Sequence, residues 1–347
     1  METKDRPLGG LFLILKNLML PLILIILLGV FCLAIGSVKI SPKDIVLYIA
    51  DLFRGNPLDS PQAKILFQVR FPRVISSGLA GAALALAGAI MQGVLKNPLA
   101  DGSTLGVSAA GSLGAAIAIV TGFTLPHIPY SGVVILSIIF SISSLVLNLY
   151  LAQRLDKTGS NFTIILLGII FSMLASSSLS LIMMAFKEDM DKIFTWTMGS
   201  FAGSTYPKAL ILLISLLIFS LVSLFYADDL NAFALGEDQA RHLGVDVKKS
   251  KKVLLVSSSS LVGVSVAIAG NIAFVGIIIP HLVRLIVGAN FRKILPLSIF
   301  MGSGFLMLAD LVSRTIFSPL EIPIGVISSF VGTLSFIIIF LRRNSYA

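Results

Sequence analysis

Runs of residues without Asp, Glu, Lys or Arg organise this chain. They cover 17–38, 74–95, 102–153, 158–186, 209–227, 253–283, 294–309 and 322–341, and the sixth continues past Pro280 to Asn290 with only Arg284 interrupting it. A helix needs about 20 apolar residues to cross a bilayer. The 52-residue run 102–153 therefore holds two crossings, broken near Phe123–Tyr130, where Pro126 and Pro129 stand. The stretch 253–291 also exceeds one crossing, and Gly270-Asn271 offers a turn. The pattern predicts ten helices, roughly 17–36, 64–93, 103–122, 131–153, 161–186, 207–227, 250–270, 275–289, 296–316 and 322–341, with eight or nine crossings as the alternative. The first run is too long for a signal peptide and lacks a small-residue cleavage site. Gly29-Val30-Phe31-Cys32 is a poor lipoprotein box, which leaves Cys32 as an apolar side chain.

Ten crossings put both termini on one side. With that side cytoplasmic, 15 of the 26 Lys and Arg residues are inside, among them Lys4, Arg6, Lys16, Lys157, Arg342 and Arg343. Nine are outside, including Lys39, while Arg284 and Arg314 lie in or near spans. Basic residues accumulate in cytoplasmic loops, so the bias places the termini inside. Composition agrees: 56% of residues are apolar and 12% charged, against about 25% charged in soluble domains. The mean hydropathy is +0.99. This excludes an ordinary soluble enzyme, a nucleic-acid-binding domain and a disordered chain, and the net charge of +9 records orientation rather than nucleic acid. One cysteine excludes a disulfide framework, and three scattered histidines argue against a haem or zinc site.

A shift of 182 residues aligns Gly81 with Gly263, Ala85 with Ala267, Ala87 with Ala269, Gly88 with Gly270, Ile90 with Ile272, Pro98 with Pro280 and Gly106 with Gly288. The matched helices are five crossings apart and run in opposite directions. This is the pattern of an inverted-topology repeat; two unrelated Gly/Ala packing faces are the alternative. The expected fold is an all-α membrane protein with one domain over 1–347. Repeat one is about 64–186, a polar segment covers 228–250, and repeat two is about 250–341.

The chemistry is sparse. There is no Gly-Lys dipeptide, so no phosphate-binding loop, and no His-Glu-x-x-His. Active transport would draw energy from another subunit or an ion gradient. Only Asp310, Arg284 and Arg314 lie deep in spans, which argues against a proton-coupled carrier, and Asp310 and Arg314 are spaced to pair on one helix face. Residues 228–252 form the longest polar segment, in which Gly236 and Gly244 bracket a short helix with Ala240 and Leu243 on one face. Such a helix can dock into a partner's groove, or it can be a solvated surface helix.

The run Leu235-Gly236-Glu237-Asp238-Gln239-Ala240-Arg241-His242-Leu243-Gly244 resembles the coupling-helix segment of FecCD-type permeases, the membrane subunits of ABC importers for iron-siderophores, haem and vitamin B12. Further blocks are similar to that family in the same order. They are Arg70-Phe71-Pro72-Arg73 with Gly81, Gly88, Met91-Gln92-Gly93 and Asn97-Pro98-Leu99-Ala100-Asp101, then Trp196-Thr197-Met198-Gly199-Ser200. The last set runs from Gly276 through Pro280-His281-Leu282-Val283-Arg284, Asp310-Leu311-Val312-Ser313-Arg314 and Glu321-Ile322-Pro323-Ile324-Gly325. Gly102 departs from the pattern, where many members carry proline, and a local loop change is expected.

The resemblance implies a type II ABC importer permease that pairs with a second permease, two cytoplasmic ATPases and an external or periplasmic substrate-binding protein. It implies alternating access and no catalysis or cofactor in this chain, with ATP and magnesium on the ATPases. The expected cargo is a ferric siderophore; haem or cobalamin, or a gradient-driven carrier, are the alternatives. A channel would need a filter motif that is not visible. The resemblance implies that Arg70, Arg73 and Arg314 meet carboxylates of the binding protein, although arginines also snorkel at interfaces. It implies that Leu235, Gly236, Glu237, Ala240, Arg241, Leu243 and Gly244 insert into the ATPase and carry its motion to the helices on either side. Met91 and Gln92 are candidates for the substrate pathway or for packing, as is the Ser257–Ser260 run. His281 invites an iron-ligand reading but packing is favoured, His127 lies in an external loop, and Trp196 is expected to anchor at the outer interface.

Overall fold

The computed structural model describes residues 7–36, 38, 40–54, 60–126, 131–156 and 160–344. The expectations for Lys4, Arg6, Lys39, His127, Pro129, Tyr130 and Lys157, and for the side chains of Lys16, Arg342 and Arg343, lie outside what it describes. Fourteen α-helices and no strand occur among the described residues. Ten of them stand where crossings were predicted: α1 Pro7–Ala34, α3 Pro61–Leu95, α4 Val107–Thr121, α5 Ser131–Leu155, α6 Asn161–Ala185, α8 Tyr206–Phe225, α11 Val247–Ala269, α12 Val275–Val287, α13 Phe291–Ser313 and α14 Ile324–Asn344. Six of these reach the length and hydropathy of a crossing, and the other four contain shorter apolar stretches. The four further helices are α2 Pro42–Arg54, α7 Met190–Thr197, α9 Ala227–Leu235 and α10 Glu237–His242.

Helix α3 is the axle of the bundle. Ser60 caps its start by accepting the Ala63 N–H at 3.1 Å, with Pro61 in the first turn, where its missing N–H costs nothing. A π-turn covers Ile65–Arg70, and the helix then runs to Leu95 and ends at Lys96 with φ 51°. Its most apolar window is 89% buried. A helix so enclosed needs small side chains, because in lipid close backbone approach replaces the hydrophobic effect as the packing force. A Cβ at Gly81 would stand 2.2 Å from the Gly302 carbonyl oxygen in α13, and one at Gly88 only 1.9 Å from that of Gly276 in α12. Backbone cannot yield as a side-chain tip can. Gly88→Ala should therefore lower stability by about 1–3 kcal/mol, read as earlier thermal aggregation of the detergent-solubilised protein. An unchanged profile would refute the backbone crossing.

The packing is reciprocal about the expected repeat. Helix α3 lies against α13 of the other half, and α11 lies against α5 of the first half. Likewise α4 contacts α5 and α6, while α12 contacts α13 and α14. Gly81 meets α13 and its counterpart Gly263 meets Ser141 of α5, so the matched glycines serve equivalent crossings. The 182-residue alignment stops there. Helix α11 ends at Gly270, φ 76°, whereas α3 continues for seven residues beyond Gly88. Pro98 then lies in a turn and Pro280 inside α12, while Gly106 precedes α4 and Gly288 ends α12. Those pairs, with Ile90 and Ile272, do not occupy equivalent places.

Gly102, the departure in the Asn97–Asp101 block, is enclosed: a Cβ there would come within 2.5 Å of Val262. Asp101 knots the same turn, accepting from the Ser103 backbone N–H at 2.9 Å and the Ser103 hydroxyl at 2.5 Å. Burial pushes its carboxyl above the usual range, and the serine hydrogen bonds offset only part of that.

Candidate functional site

Two groups of polar residues are candidates, one at the end of the bundle that carries both termini and one at the opposite end. At the opposite end stand the three arginines expected to meet an external partner. The chain turns all three inward. Arg70, Arg73 and Arg314 are only 4%, 5% and 8% exposed. Arg73 Nε donates to Asp310 Oδ1 at 3.0 Å and Nη2 lies 2.9 Å from the same oxygen, while Nη1 reaches Glu321 Oε1 at 2.8 Å. Arg314 pairs with Asp310 Oδ2 at 3.6 Å, the helix-face pair the spacing predicted, but that is beyond hydrogen-bond length and leaves its Nε without a partner. Its Nη2 instead donates to the Cys32 carbonyl, and Arg70 donates to the carbonyls of Leu33, at 2.8 Å, and Val38. The last carbonyls of a helix have no intrahelical partner, so Arg70 and Arg314 cap α1 from outside it. A binding protein's carboxylate would have to displace these partners.

Met91 and Gln92 are also buried. Met91 is 0% exposed inside the core, and Gln92 Nε2 donates to the carbonyls of Gly276 and Ile277, both at 3.1 Å, while its Oε1 accepts from Arg284. Gln92 and Arg284 together tie α3 to α12. The Ser257–Ser260 run is also buried, within α11. No group of three or more His, Cys, Asp or Glu side chains that could hold a metal occurs among the described residues.

The termini-bearing end carries the polar segment. Tyr226 and the acidic pair Asp228-Asp229 start α9, where negative charge suits the helix dipole. Leu230 and Phe233 recur on one face and are buried, so α9 is held against the bundle. Gly236 then turns the chain with φ 127° and ψ 151°, a conformation essentially restricted to glycine. Helix α10 follows with Ala240 buried at its base, and Gly244, φ 86°, closes it. Lys251 reaches Glu237 at 3.3 Å and Ser250 donates to Asp229, fixing the segment to α11. Leu235 and Leu243 point away from the bundle, 68% and 65% exposed. Two large apolar side chains at the two ends of a short helix, one on α9 just before Gly236 and one just before Gly244, make a small anchor for a groove.

The short helix between Gly236 and Gly244 was legible in the sequence, but α9 was not. Its contacts add Asp228, Asn231, Asn290 and Arg292 to the site. Arg292 Nε donates to Asp228 Oδ1 at 2.7 Å, and this bond holds the Asp228 carboxyl below its usual range. The available signal was Leu230 and Phe233 three apart behind an acidic start, the mark of a short amphipathic helix.

A cavity of about 1200 Å³ opens at the end opposite the termini, between the ends of α4 and α11, α5 and α7. Ile119, Phe123, Val134 and Trp196 supply apolar wall, and Lys192 and Lys208 contribute positive charge. Asp189 holds the Lys192 ammonium above its usual range by a 2.7 Å hydrogen bond.

Known proteins share this architecture. The chain is 37% identical over 322 residues to the uncharacterized ABC transporter permease protein YvrB of Bacillus subtilis (strain 168), covering 92% of this chain and 90% of that one. It is 34% identical over 312 residues to the molybdate import system permease protein MolB of Haemophilus influenzae, covering 89% and 90%. A solved structure of an inward-facing metal-chelate type ABC transporter superposes with a TM-score of 0.82 at 33% identity, over 94% of this chain and 99% of that one. The model of the FecCD transport family matches residues 23–342, from within α1 to near the end of α14. With ten apolar helices, reciprocal halves and a match across nearly its whole length, this multi-pass membrane chain belongs to the FecCD transport family.

Proposed function

We propose that the chain is the permease subunit of an ABC importer that carries a ferric siderophore across the cytoplasmic membrane, with the termini-bearing end in the cytoplasm. The observation that carries this reading is α10, held out between Gly236 and Gly244 with Leu235 and Leu243 uncovered. An ATPase groove suits such an anchor, and a chain without a phosphate-binding loop needs a hydrolysing partner. The partners are a second permease, identical or a sister chain, two ATPases carrying ATP and magnesium, and an external binding protein that delivers the cargo. Alternating access follows when nucleotide draws the ATPases together and α10 transmits the displacement to the bundle.

The cargo is the finer part of the proposal. The cavity of about 1200 Å³ at the outer end, mostly apolar with Lys192, Lys208 and Asp191 on its wall, suits a bulky chelate with apolar surface. The relative MolB is a molybdate permease and the structural neighbour a metal-chelate transporter. The test is reconstitution with the ATPase and binding protein in liposomes. ATP hydrolysis is then compared with the binding protein loaded with ferric hydroxamate and catecholate siderophores, haem, cobalamin or molybdate. Stimulation by a ferric siderophore is expected. Stimulation by haem, cobalamin or molybdate alone overturns the cargo, and failure of an ATPase to co-purify overturns the importer.

A further inference from the structure

Helix α10 is joined by the chain to α9 and α11 and pairs with α11 through Glu237 and Lys251, but the adjoining α9 has polar links that leave that path. Four of them run from α9 to the turn between α12 and α13, some 60 residues away. Asn231 Oδ1 accepts the Phe291 N–H at 2.8 Å, and Asn231 Nδ2 donates to Asn290 Oδ1 at 3.4 Å. Arg292 donates to Asp228 through Nε at 2.7 Å and through Nη2 at 2.5 Å, a two-pronged pair that fixes direction as well as distance. The Phe291 N–H is one of the first N–H groups of α13 and has no partner within that helix. Asn231 therefore caps α13 from another helix, while Asn290 caps it locally by accepting the Arg292 N–H at 2.9 Å.

The apolar side of the same junction is tight. A Cβ at Gly93 of α3 would meet the Phe291 ring at 2.7 Å and the Leu230 side chain at 2.9 Å. The start of α13, the body of α9 and the end of α3 thus share one point. From there α13 runs 23 residues to Ser313, about 35 Å of helix. It crosses α3 backbone to backbone at Gly302 and holds Arg73 through Asp310 at its far end. Pro296 interrupts its hydrogen bonding one turn in, and a helix gripped before that point and crossed at its middle can carry a displacement to the other end.

We infer that Asp228 and Asn231 are positioning residues that hand the stroke of α10 to α13, a helix that α10 is not covalently joined to. This rests on the coupling role proposed for α10. The Asp228–Arg292 pair is exposed, 61% and 62% at its side chains, and exposed pairs add little to stability. Its loss should leave the fold intact and break transmission, which a structural role would not do.

The experiment uses the reconstituted permease–ATPase complex with Cys32→Ser, to remove the native thiol, and Ile316→Cys as a reporter just past the far end of α13, where Ile316 is 59% exposed. Maleimide labelling is timed with and without ATP plus vanadate. Nucleotide should change the rate about fivefold or more, the scale of ordinary allosteric coupling. Asp228→Arg should erase that response with ATPase co-purification and melting temperature unchanged, Asn231→Ala should erase it with a small fall in melting temperature because a helix cap is lost, and the exchange Asp228→Arg with Arg292→Asp should restore it. Single variants that keep the response, or an exchange that restores nothing, overturn the inference alone. A parent complex without any nucleotide response overturns the coupling role and the inference together.

Discussion

Asp310→Ala should destabilise the protein by about 3–5 kcal/mol, the cost of removing one member of a buried ion pair. Asp310 is 1% exposed and, among the described residues, is the carboxylate that forms ion pairs with both Arg73 and Arg314, themselves 5% and 8% exposed. Its loss leaves two guanidinium groups in a low-dielectric site. Arg73 keeps Glu321, whose side chain is 41% exposed, so that link compensates only in part. The melting temperature in detergent should fall by about 10 °C, taking the entropy scale of mid-sized domains. Glu321→Gln should move it far less, because a half-exposed partner is screened by water. The double change Arg73→Met with Asp310→Ala should cost less than the sum of the single changes, since the residues share one interaction. An Asp310→Ala protein that melts within 2 °C of its parent, or strictly additive changes, would show that the cluster does not hold α1, α3 and α13 together.

The same cluster shows where the sequence stops being readable. Position along the chain placed Arg70, Arg73 and Arg314 correctly at one end of the bundle, and the four-residue spacing of Asp310 and Arg314 announced their pair. Spacing says nothing of a partner 237 residues away, which is where Arg73 finds Asp310. Nor does periodicity reveal the π-turn at Ile65–Arg70, where one extra residue resets the face on which every preceding side chain lies. The ten long helices were legible because a crossing requires an uncharged run of fixed length, and Gly270 marked the division between α11 and α12. Helices α2, α7 and α9 are short and amphipathic, with charges among their apolar residues, so no uncharged run marks them. The sequence left Met91 and Gln92 open between pathway and packing, because it does not show that Gly88 draws the α12 backbone close beside them and encloses both side chains. The segment from Leu235 to Gly244 was read correctly as a helix between glycines because both of its limits are written in residue type.

The two glycines are not equivalent, and this sets the largest functional effect. Gly236 has φ 127° and ψ 151°, a region that costs any residue with a Cβ of order 1–3 kcal/mol. Gly244 has φ 86° with nothing within 4 Å of a Cβ, so there the objection is conformational and asparagine, which tolerates positive φ, can substitute. Helix α10 has six residues and buries only Ala240 among them, too little to hold a strained turn in place. Gly236→Val should therefore be relieved by reorientation of α10, carrying Leu235 and Leu243 off the line on which a partner would meet them. The protein should insert and melt normally, since α9 and α11 keep their own contacts. Uptake per ATP hydrolysed should fall at least about tenfold, the effect of 1.4 kcal/mol at the coupling step. Gly244→Val should fall in the same direction, Gly244→Asn should retain most of the coupling, and Gly236→Asn should not. Equal tolerance of asparagine at both positions would mean that backbone geometry at Gly236 does not set the attitude of α10.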